Sequence, residues 1–286
     1  MLPSARYAYL MTMLCLWTAT VANRLPAQAG LTASRTSSSS VSPVSTLAAQ
    51  SPALRWADSV RRLIDTAVVR GDTLALRNAA LLADRALQAM PGDGLLLHYR
   101  GYATYRLAER VSMKDEARRD SLHDAVLEWL EQSAAKLPLP ETAALRAMAM
   151  GRLMANSMVR GMRYGAAASR AEAEALGTTP ANPRALLLAA VSTWYKPAMF
   201  GGGKDKARAL LDRAFAAFAT DKPAAGHPQW GLAEAWAWKG IMEADAGRVE
   251  SARAAYDRAL ALEPSYQWVR WVLRPALPPT TPSPTR

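Results

Sequence analysis

The apolar residues of this 286-residue chain recur every three or four positions, the period of an α-helix, over most of its length. One such run covers residues 53–67, and another covers 74–90 and stops at Pro91. Alanine, leucine and arginine are abundant, whereas isoleucine occurs only at positions 64 and 241, and this balance favours helices over strands. The pattern predicts an all-α body over residues 52–275.

Short turns separate the predicted helices, so consecutive helices should pack against each other as antiparallel pairs. Pairs stacked in a row form an α-solenoid, in which each pair contacts mainly its neighbours. The predicted helices cover residues 53–67, 74–90, 95–109, 115–137, 141–160, 165–176, 184–196, 204–219, 229–246 and 249–262.

The last predicted pair has the most regular arrangement of large and small residues. Its first helix carries Trp236 and, four residues later, Gly240; its second helix carries Ala252 and, four residues later, Tyr256. Small residues let two helices approach closely, while large rings fill the space beside them. Pro264 then ends the second helix, because proline cannot continue it.

This arrangement resembles the signature of the tetratricopeptide repeat (TPR). The resemblance implies a TPR-like α-solenoid of stacked antiparallel helix pairs. Less regular copies of the second-helix pattern occur at 79–91 and 207–214, and Gly101 and Gly151 take the small position of two other first helices.

Three further segments resemble a family of exported bacterial TPR proteins of unassigned function. They are residues 182–185, 196–203 and 267–271. Residues 197–207 are also similar to the TPR-type components that accompany some periplasmic solute transporters. That second resemblance implies that a helical solenoid of this kind can enclose a ligand.

Residues 1–29 have the pattern of a cleaved secretory signal peptide. Arg6 supplies a positive charge, residues 7–23 carry none, and Ala27 and Ala29 place small residues where a signal peptidase cleaves. We therefore expect a periplasmic or secreted protein. The alternative is an uncleaved signal that anchors the chain in the inner membrane, although a span usually needs about 20 apolar residues.

The segments on either side of the helical body have compositions that cannot bury a core. Residues 30–51 are rich in serine and threonine and predict a disordered linker, and residues 276–286 predict a proline-rich disordered tail. The domain organisation predicted from the sequence is therefore a signal peptide, a linker, one TPR-like helical repeat domain at 52–275, and a tail.

The chain is basic, with 35 Lys and Arg against 24 Asp and Glu and a formal net charge of +11. Residues 152–213 alone hold ten of the bases and four of the acids. Such a surface favours an acidic protein or peptide as the partner, and peripheral contact with an anionic envelope surface is a further option. Export argues against nucleic acid as a partner.

One candidate contact surface lies on the third predicted helix. His98, Tyr102 and Tyr105 follow one another at steps of four and three residues, so they share a face of that helix. If Gly101 is the small packing residue, this is the face that TPR proteins turn toward their groove. The other interpretation is that the rings pack against a neighbouring helix.

A second candidate surface is a stripe of Arg152, Asn156 and Arg160, spaced by four on the predicted helix 141–160. Guanidinium groups bind carboxylates through two parallel hydrogen bonds, so this stripe suits an anion. An ordinary solvated face explains it equally well. The candidate partner-binding residues are thus Tyr102, Tyr105, Arg152, Asn156 and Arg160.

The glycine-rich segment at 200–205 invites comparison with a phosphate-binding loop. That loop needs a first glycine and a final serine or threonine, but Ala198 and Asp205 occupy those positions. We interpret the three glycines as a sharp turn that starts the next helix.

No catalytic, metal or cofactor site is predicted. The one cysteine, Cys15, lies in the signal segment, and the three histidines have no metal-ligand spacing. His123 is expected at the surface. The leading hypothesis is an exported, non-catalytic scaffold that binds a protein or peptide through its concave face. The alternatives are a small-molecule-binding helper of a periplasmic transport system, which needs an enclosed cavity, and an enzyme whose site is assembled from distant residues.

Overall fold

The computed structural model describes residues 51–279 except 156 and 179. These residues form ten α-helices, a 3-10 turn and a π-helical turn, and they contain no strand. The prediction of an all-α fold is confirmed. The elements are α1 (Pro52–Arg70), α2 (Thr73–Ala89), α3 (Gly94–Ala108), α4 (Glu116–Lys136), α5 (Pro140–Met154), α6 (Met158–Leu176), α7 (Pro183–Tyr195), the 3-10 turn (Ala198–Phe200), α8 (Lys204–Phe218), α9 (Leu232–Asp245), α10 (Val249–Leu262) and the π-helical turn (Val269–Leu273).

Consecutive helices pack as pairs, from α1 with α2 to α9 with α10. The first helices of successive pairs also contact one another, so α1, α3, α5 and α7 lie side by side and form the inner face of the stack. This TPR-like arrangement is the one predicted from the repeat pattern. Within the described part of the chain, no helix has the length and apolar character needed to cross a membrane.

Large side chains on one helix pack against small residues on its partner, and these contacts hold the helix pairs together. A Cβ atom at Gly240 would overlap the ring of Tyr256, so only glycine lets α9 and α10 approach this closely. A Cβ at Gly101 would lie 2.5 Å from Cδ2 of Leu130, which explains the close approach of α3 and α4. Gly151 does not have this role, because nothing lies within 4 Å of a Cβ placed there.

Replacing Gly240 with alanine is expected to lower the free energy of unfolding. Overpacking a buried contact costs about 1–3 kcal/mol, more than the roughly 1 kcal/mol that alanine gains over glycine inside a helix. Gly165→Ala is the matched control, because a Cβ there meets nothing within 4 Å. Chemical denaturation should show opposite signs for the two variants, and equal effects would contradict the packing argument.

The break between α5 and α6 differs from the sequence prediction. The structure ends α5 at Met154 and starts α6 at Met158, whereas the sequence analysis placed the break at 161–164. Ser157 explains the position, because its hydroxyl accepts a hydrogen bond from the backbone N–H of Arg160 and caps the new helix. The predicted break at 161–164 therefore lies inside α6.

The segment between α8 and α9, residues 219–231, leaves the regular stack and crosses its inner face. The Tyr99 hydroxyl on α3 donates a hydrogen bond of 2.5 Å to the carbonyl of Gly226. Gly226 also lies against Leu54 and Leu95, which belong to α1 and α3. The N-terminal half of the inner face is therefore covered by the chain itself.

A cavity between the helices

The inner face retains a cavity of about 810 Å³. Its walls come from the C-terminal ends of α1, α3, α5 and α7, the first turns of α4 and α8, the length of α9, and α10 with the segment after it. The cavity wall is rich in arginines and aromatic rings. They include Arg106, Arg110, Arg119, Arg152, Trp194, Tyr195, Trp238, Tyr266 and Trp268.

One end of the cavity is closed by contacts between α3 and the start of α9. The ring of Tyr102 stacks on Trp230, with centroids 5.2 Å apart. Beside them, Nη2 of Arg106 lies 2.6 Å from Oε2 of Glu234. These contacts join residues more than 120 positions apart in sequence, and Arg106 and Glu234 belong to the cavity wall.

Arg106 is the centre of a buried charge cluster. It pairs with Glu109 at 3.0 Å as well as with Glu234. Burial alone would lower the pKa of the Arg106 guanidinium, but the carboxylate of Glu234 and the other neighbouring groups raise it above its ordinary value. Burial would also raise the pKa of Glu109, yet Arg106 and Arg152 beside it hold that pKa low, so Glu109 is ionised.

The other three arginines of the cavity contact neutral groups. Arg110 donates to the carbonyl of Val68 at 3.4 Å, Arg119 lies 2.6 Å from the sulfur of Met113, and Arg152 lies beside Tyr105. Among the contacts of the described residues, none of the three has a carboxylate within 4.0 Å. Burial lowers the pKa of Arg110, as expected for a cation that is poorly compensated.

His123 lies in the cavity wall and not at the surface, so the surface prediction was wrong. Its side chain is buried beside Tyr105, with ring centroids 5.9 Å apart. Its Nδ1 is buried and has no hydrogen-bond partner within the described residues. Burial, helped by the charge of Arg152, lowers the pKa of His123 to about 4, so the ring is neutral at pH 7.

The opposite wall is a set of aromatic rings that contact one another edge to face. Trp238 lies at its centre, 6.0 Å from Tyr195 and 6.2 Å from Trp268. Tyr266 extends the set, with its centroid 6.3 Å from that of Trp268. Such a wall offers the edges and faces of several aromatic rings, a largely apolar surface, to a ligand.

The five residues predicted to bind a partner are not brought together as one surface. Tyr102 and Tyr105 are buried, each only 1% exposed, so they pack between helices and do not face a partner directly. Arg152 lies in the cavity wall. Arg160 belongs to α6 and pairs with Asp120, and Asn156 lies outside the described residues.

The stripe predicted from four-residue spacing is therefore wrong as a geometric unit. Arg152 is in the last turn of α5 and Arg160 is in the first turn of α6, so the two residues do not share a helix face. The tyrosines follow the packing interpretation that the sequence analysis left open. Tyr105 packs against His123 of the cavity wall, with ring centroids 5.9 Å apart.

The glycine-rich segment is a structural turn, as predicted. A Cβ at Gly202 would overlap the backbone carbonyl of Lys196, and Gly203 begins α8 with a φ of 139°. The ammonium group of Lys204 pairs with Asp245 at 2.6 Å and lies over the ring of Trp194. Among the described residues, no group of three histidine, cysteine, aspartate or glutamate side chains could hold a metal ion.

Sequence reasoning missed most of the residues that form the cavity. Arg106 and Arg110 are spaced by four at the end of α3, which was a usable signal, but the mixed charges nearby suggested a solvated surface. Trp238 and Trp268 are recognisable in the sequence as aromatic residues for stacking or packing, but their contact could not be predicted, because it depends on how the last helix pair and the C-terminal segment fold together.

The comparisons with known proteins agree on the fold. Neither the protein-family models nor the curated proteins that were searched match this chain. Solved structures that are similar to it include a haemophore and a TPR protein. The HusA haemophore from Porphyromonas gingivalis is 28% identical, with a TM-score of 0.54 over 67% of this chain and 93% of the other. A thermophilic TPR protein from Thermus thermophilus, TTC0263, is 22% identical, with a TM-score of 0.52 over 75% of this chain and 95% of the other. This chain is therefore a TPR-like helical protein whose fold is shared with a haemophore.

Proposed function

We propose that this protein is a non-catalytic binding protein that holds a compact ligand in the cavity between α3, α5, α7 and α9. The observation that carries the proposal is the cavity itself, about 810 Å³ in volume, which is within the range of small-molecule sites. Of the hypotheses from the sequence, the small-molecule carrier is the one that required a ligand cavity among the helices, and this cavity is partly open to solvent.

An extended peptide is a poorer match to this inner face. A peptide that follows the solenoid would need continuous access along α1, α3, α5 and α7. Residues 219–231 cover that route, through the bond from Tyr99 to Gly226 and the stack of Tyr102 on Trp230. Binding a peptide there would require breaking these buried contacts.

The similar haemophore suggests which compact ligand to test first. It aligns over 93% of its own length with this chain, so its whole fold is represented here. A tetrapyrrole is flat and largely apolar and carries acidic side chains. The cavity pairs an aromatic wall around Trp238 with arginines on the facing side, which are the chemical groups that such a ligand would contact.

Titration with haemin, followed by absorbance and by quenching of tryptophan fluorescence, tests the proposal. We expect saturable binding of one haemin per chain. Ala155→Trp, which places a large ring in the cavity wall at an exposed position, should weaken binding by roughly tenfold or more, a loss of about 1.4 kcal/mol.

Ala166→Trp is the matched control, because Ala166 is exposed on α6 and is not part of the cavity wall. It should bind haemin as the parent protein does. If neither haemin nor iron-free protoporphyrin binds, or if both variants bind equally well, the ligand is not held in this cavity and the proposal fails.

Export is a further part of the proposed function. The support for it is the signal-like pattern of residues 1–29, a segment that lies outside the described residues. N-terminal sequencing of the protein from an envelope fraction should give a start near residue 30. A start at Met1 would contradict cleavage and would favour the anchored alternative.

A further inference from the structure

The charges in the cavity wall do not balance. The wall contains five cationic and four acidic side chains, but two of the acids are paired away from its centre. Asp120 pairs with Arg160, which is not part of the wall, and Asp245 pairs with Lys204 at the far side. The centre is left with Arg106, Arg110, Arg119 and Arg152 facing Glu109 and Glu234, the carboxylates that Arg106 binds.

The centre of the cavity therefore holds two positive charges in excess. A cation that is partly removed from water without a counter-charge is unfavourable, and the lowered pKa of Arg110 is one sign of this. Most of the five N–H donors on each of Arg110, Arg119 and Arg152 make no hydrogen bond to a carboxylate of the described residues. A bound anion would supply the missing counter-charge.

The aromatic wall restricts the shape of such an anion. Tyr195, Trp238 and Trp268 line the same cavity as the arginines, so a ligand bound there contacts flat rings as well as guanidinium groups. An inorganic anion would leave the aromatic wall in contact with water. A planar aromatic molecule with acidic groups along one edge would satisfy both sides of the cavity.

We propose that the cavity recognises a planar aromatic dicarboxylate and that Arg110 and Arg152 bind its two carboxylates. This inference rests on the proposed function and adds the chemical class of the ligand and the residues that select it. Both arginines line the cavity, and the nearby ionised Glu109 favours the charged form of Arg152.

A comparison of a free porphyrin diacid with its dimethyl ester tests the inference. Deuteroporphyrin and its dimethyl ester share one ring system and differ only in the two carboxylates. We expect the diacid to bind at least roughly tenfold more tightly, and its affinity to fall with added salt while that of the ester does not.

The arginine variants identify the side chains responsible. Arg152→Gln and Arg110→Gln should each lower affinity for the diacid by roughly tenfold to a hundredfold and leave the ester unaffected. Arg163→Gln is the matched control, because Arg163 is exposed on α6 and is not part of the cavity wall. Circular dichroism and thermal melting confirm that each variant is folded.

The outcomes separate this inference from the proposed function. If the ester binds as tightly as the diacid, or if the two cavity variants lose affinity for both ligands equally, carboxylate recognition is wrong while a ligand cavity remains. If neither porphyrin binds, both proposals fail.

Discussion

Replacing Arg184 with methionine should lower the free energy of unfolding by about 3–5 kcal/mol, because the change leaves a buried carboxylate without its cation. Arg184 is only 2% exposed, and its Nε donates to Glu141, also buried, at 2.8 Å. Its two terminal nitrogens hold both carboxylate oxygens of Asp221 at 2.8 and 2.9 Å. For a domain of this size the loss corresponds to a melting temperature lower by roughly 10 °C.

The position of Arg184 makes the effect larger than the loss of one ion pair. The guanidinium joins α7 to α5 through Glu141 and to the crossing segment 219–231 through Asp221. It also lies 3.5 Å from the carbonyl of Trp230, the residue whose ring closes the cavity. The variant should therefore loosen the crossing segment and weaken ligand binding as well as stability.

Two further variants sharpen this test. Arg62→Met is the control, because Arg62 is 62% exposed, pairs with Asp58 at 3.5 Å and should contribute no more than about 1 kcal/mol. The double variant Arg184→Met with Glu141→Leu should recover part of the loss, since it removes the uncompensated charge. Equal effects of Arg184→Met and Arg62→Met in urea denaturation would contradict the argument.

Acidification from pH 7 to pH 4 should destabilise the fold through two buried histidines. Burial, the dominant cause, lowers the pKa of His98 and of His123 to about 4, from an ordinary value of 6.5. Below pH 6.5 the unfolded chain takes up a proton at each ring while the folded chain does not. The free energy of unfolding therefore falls as the pH drops, by about 3 kcal/mol for each histidine.

The titration of Asp65 has the opposite effect on the free energy of unfolding. Burial raises its pKa to about 6, against the opposing influence of Arg61. Between pH 7 and pH 4 the folded chain therefore binds a proton at Asp65 more readily than the unfolded chain does, and this stabilises the fold by about 2 kcal/mol on acidification. The net expected loss from the three groups is about 4 kcal/mol.

Urea denaturation at pH 7 and at pH 4 measures this difference. In the parent protein the free energy of unfolding should be lower at pH 4. In His98→Gln, which keeps a polar group beside Thr142, the contribution of His98 disappears and the difference should shrink to about 1 kcal/mol. The same difference in both proteins, or no difference in either, would contradict the assignment.

Much of the fold could be predicted because the signals for a helix are residues only three or four positions apart in the sequence. The spacing of apolar residues located ten helices. The small residue Gly240 and the large residue Tyr256 identified the close contact between the last two helices. The prediction failed at one boundary. It placed the break between two helices at 161–164, but the cap that starts α6 is Ser157.

The candidate site could be predicted only in part, because its residues come from distant parts of the chain. Arg152 was identified as a candidate binding residue. It was chosen as part of a stripe along one helix, however, and the structure does not form that stripe. Arg106 was missed, since its carboxylate partner Glu234 lies 128 residues away. No periodicity within one helix reveals a pairing of that kind.

By itself, the sequence determined the helical class, the pairing of neighbouring helices and the small residues at their contacts, because each depends on side chains a few positions apart. Only the tertiary structure decided that the inner face is partly covered by the chain and retains a cavity. That outcome depends on residues 219–231 folding across α1 and α3, and on the buried bonds of Tyr99 and Arg184 that hold them there. Such long-range contacts leave no periodic signal, since the free energy that selects them comes from burial and charge pairing between distant segments.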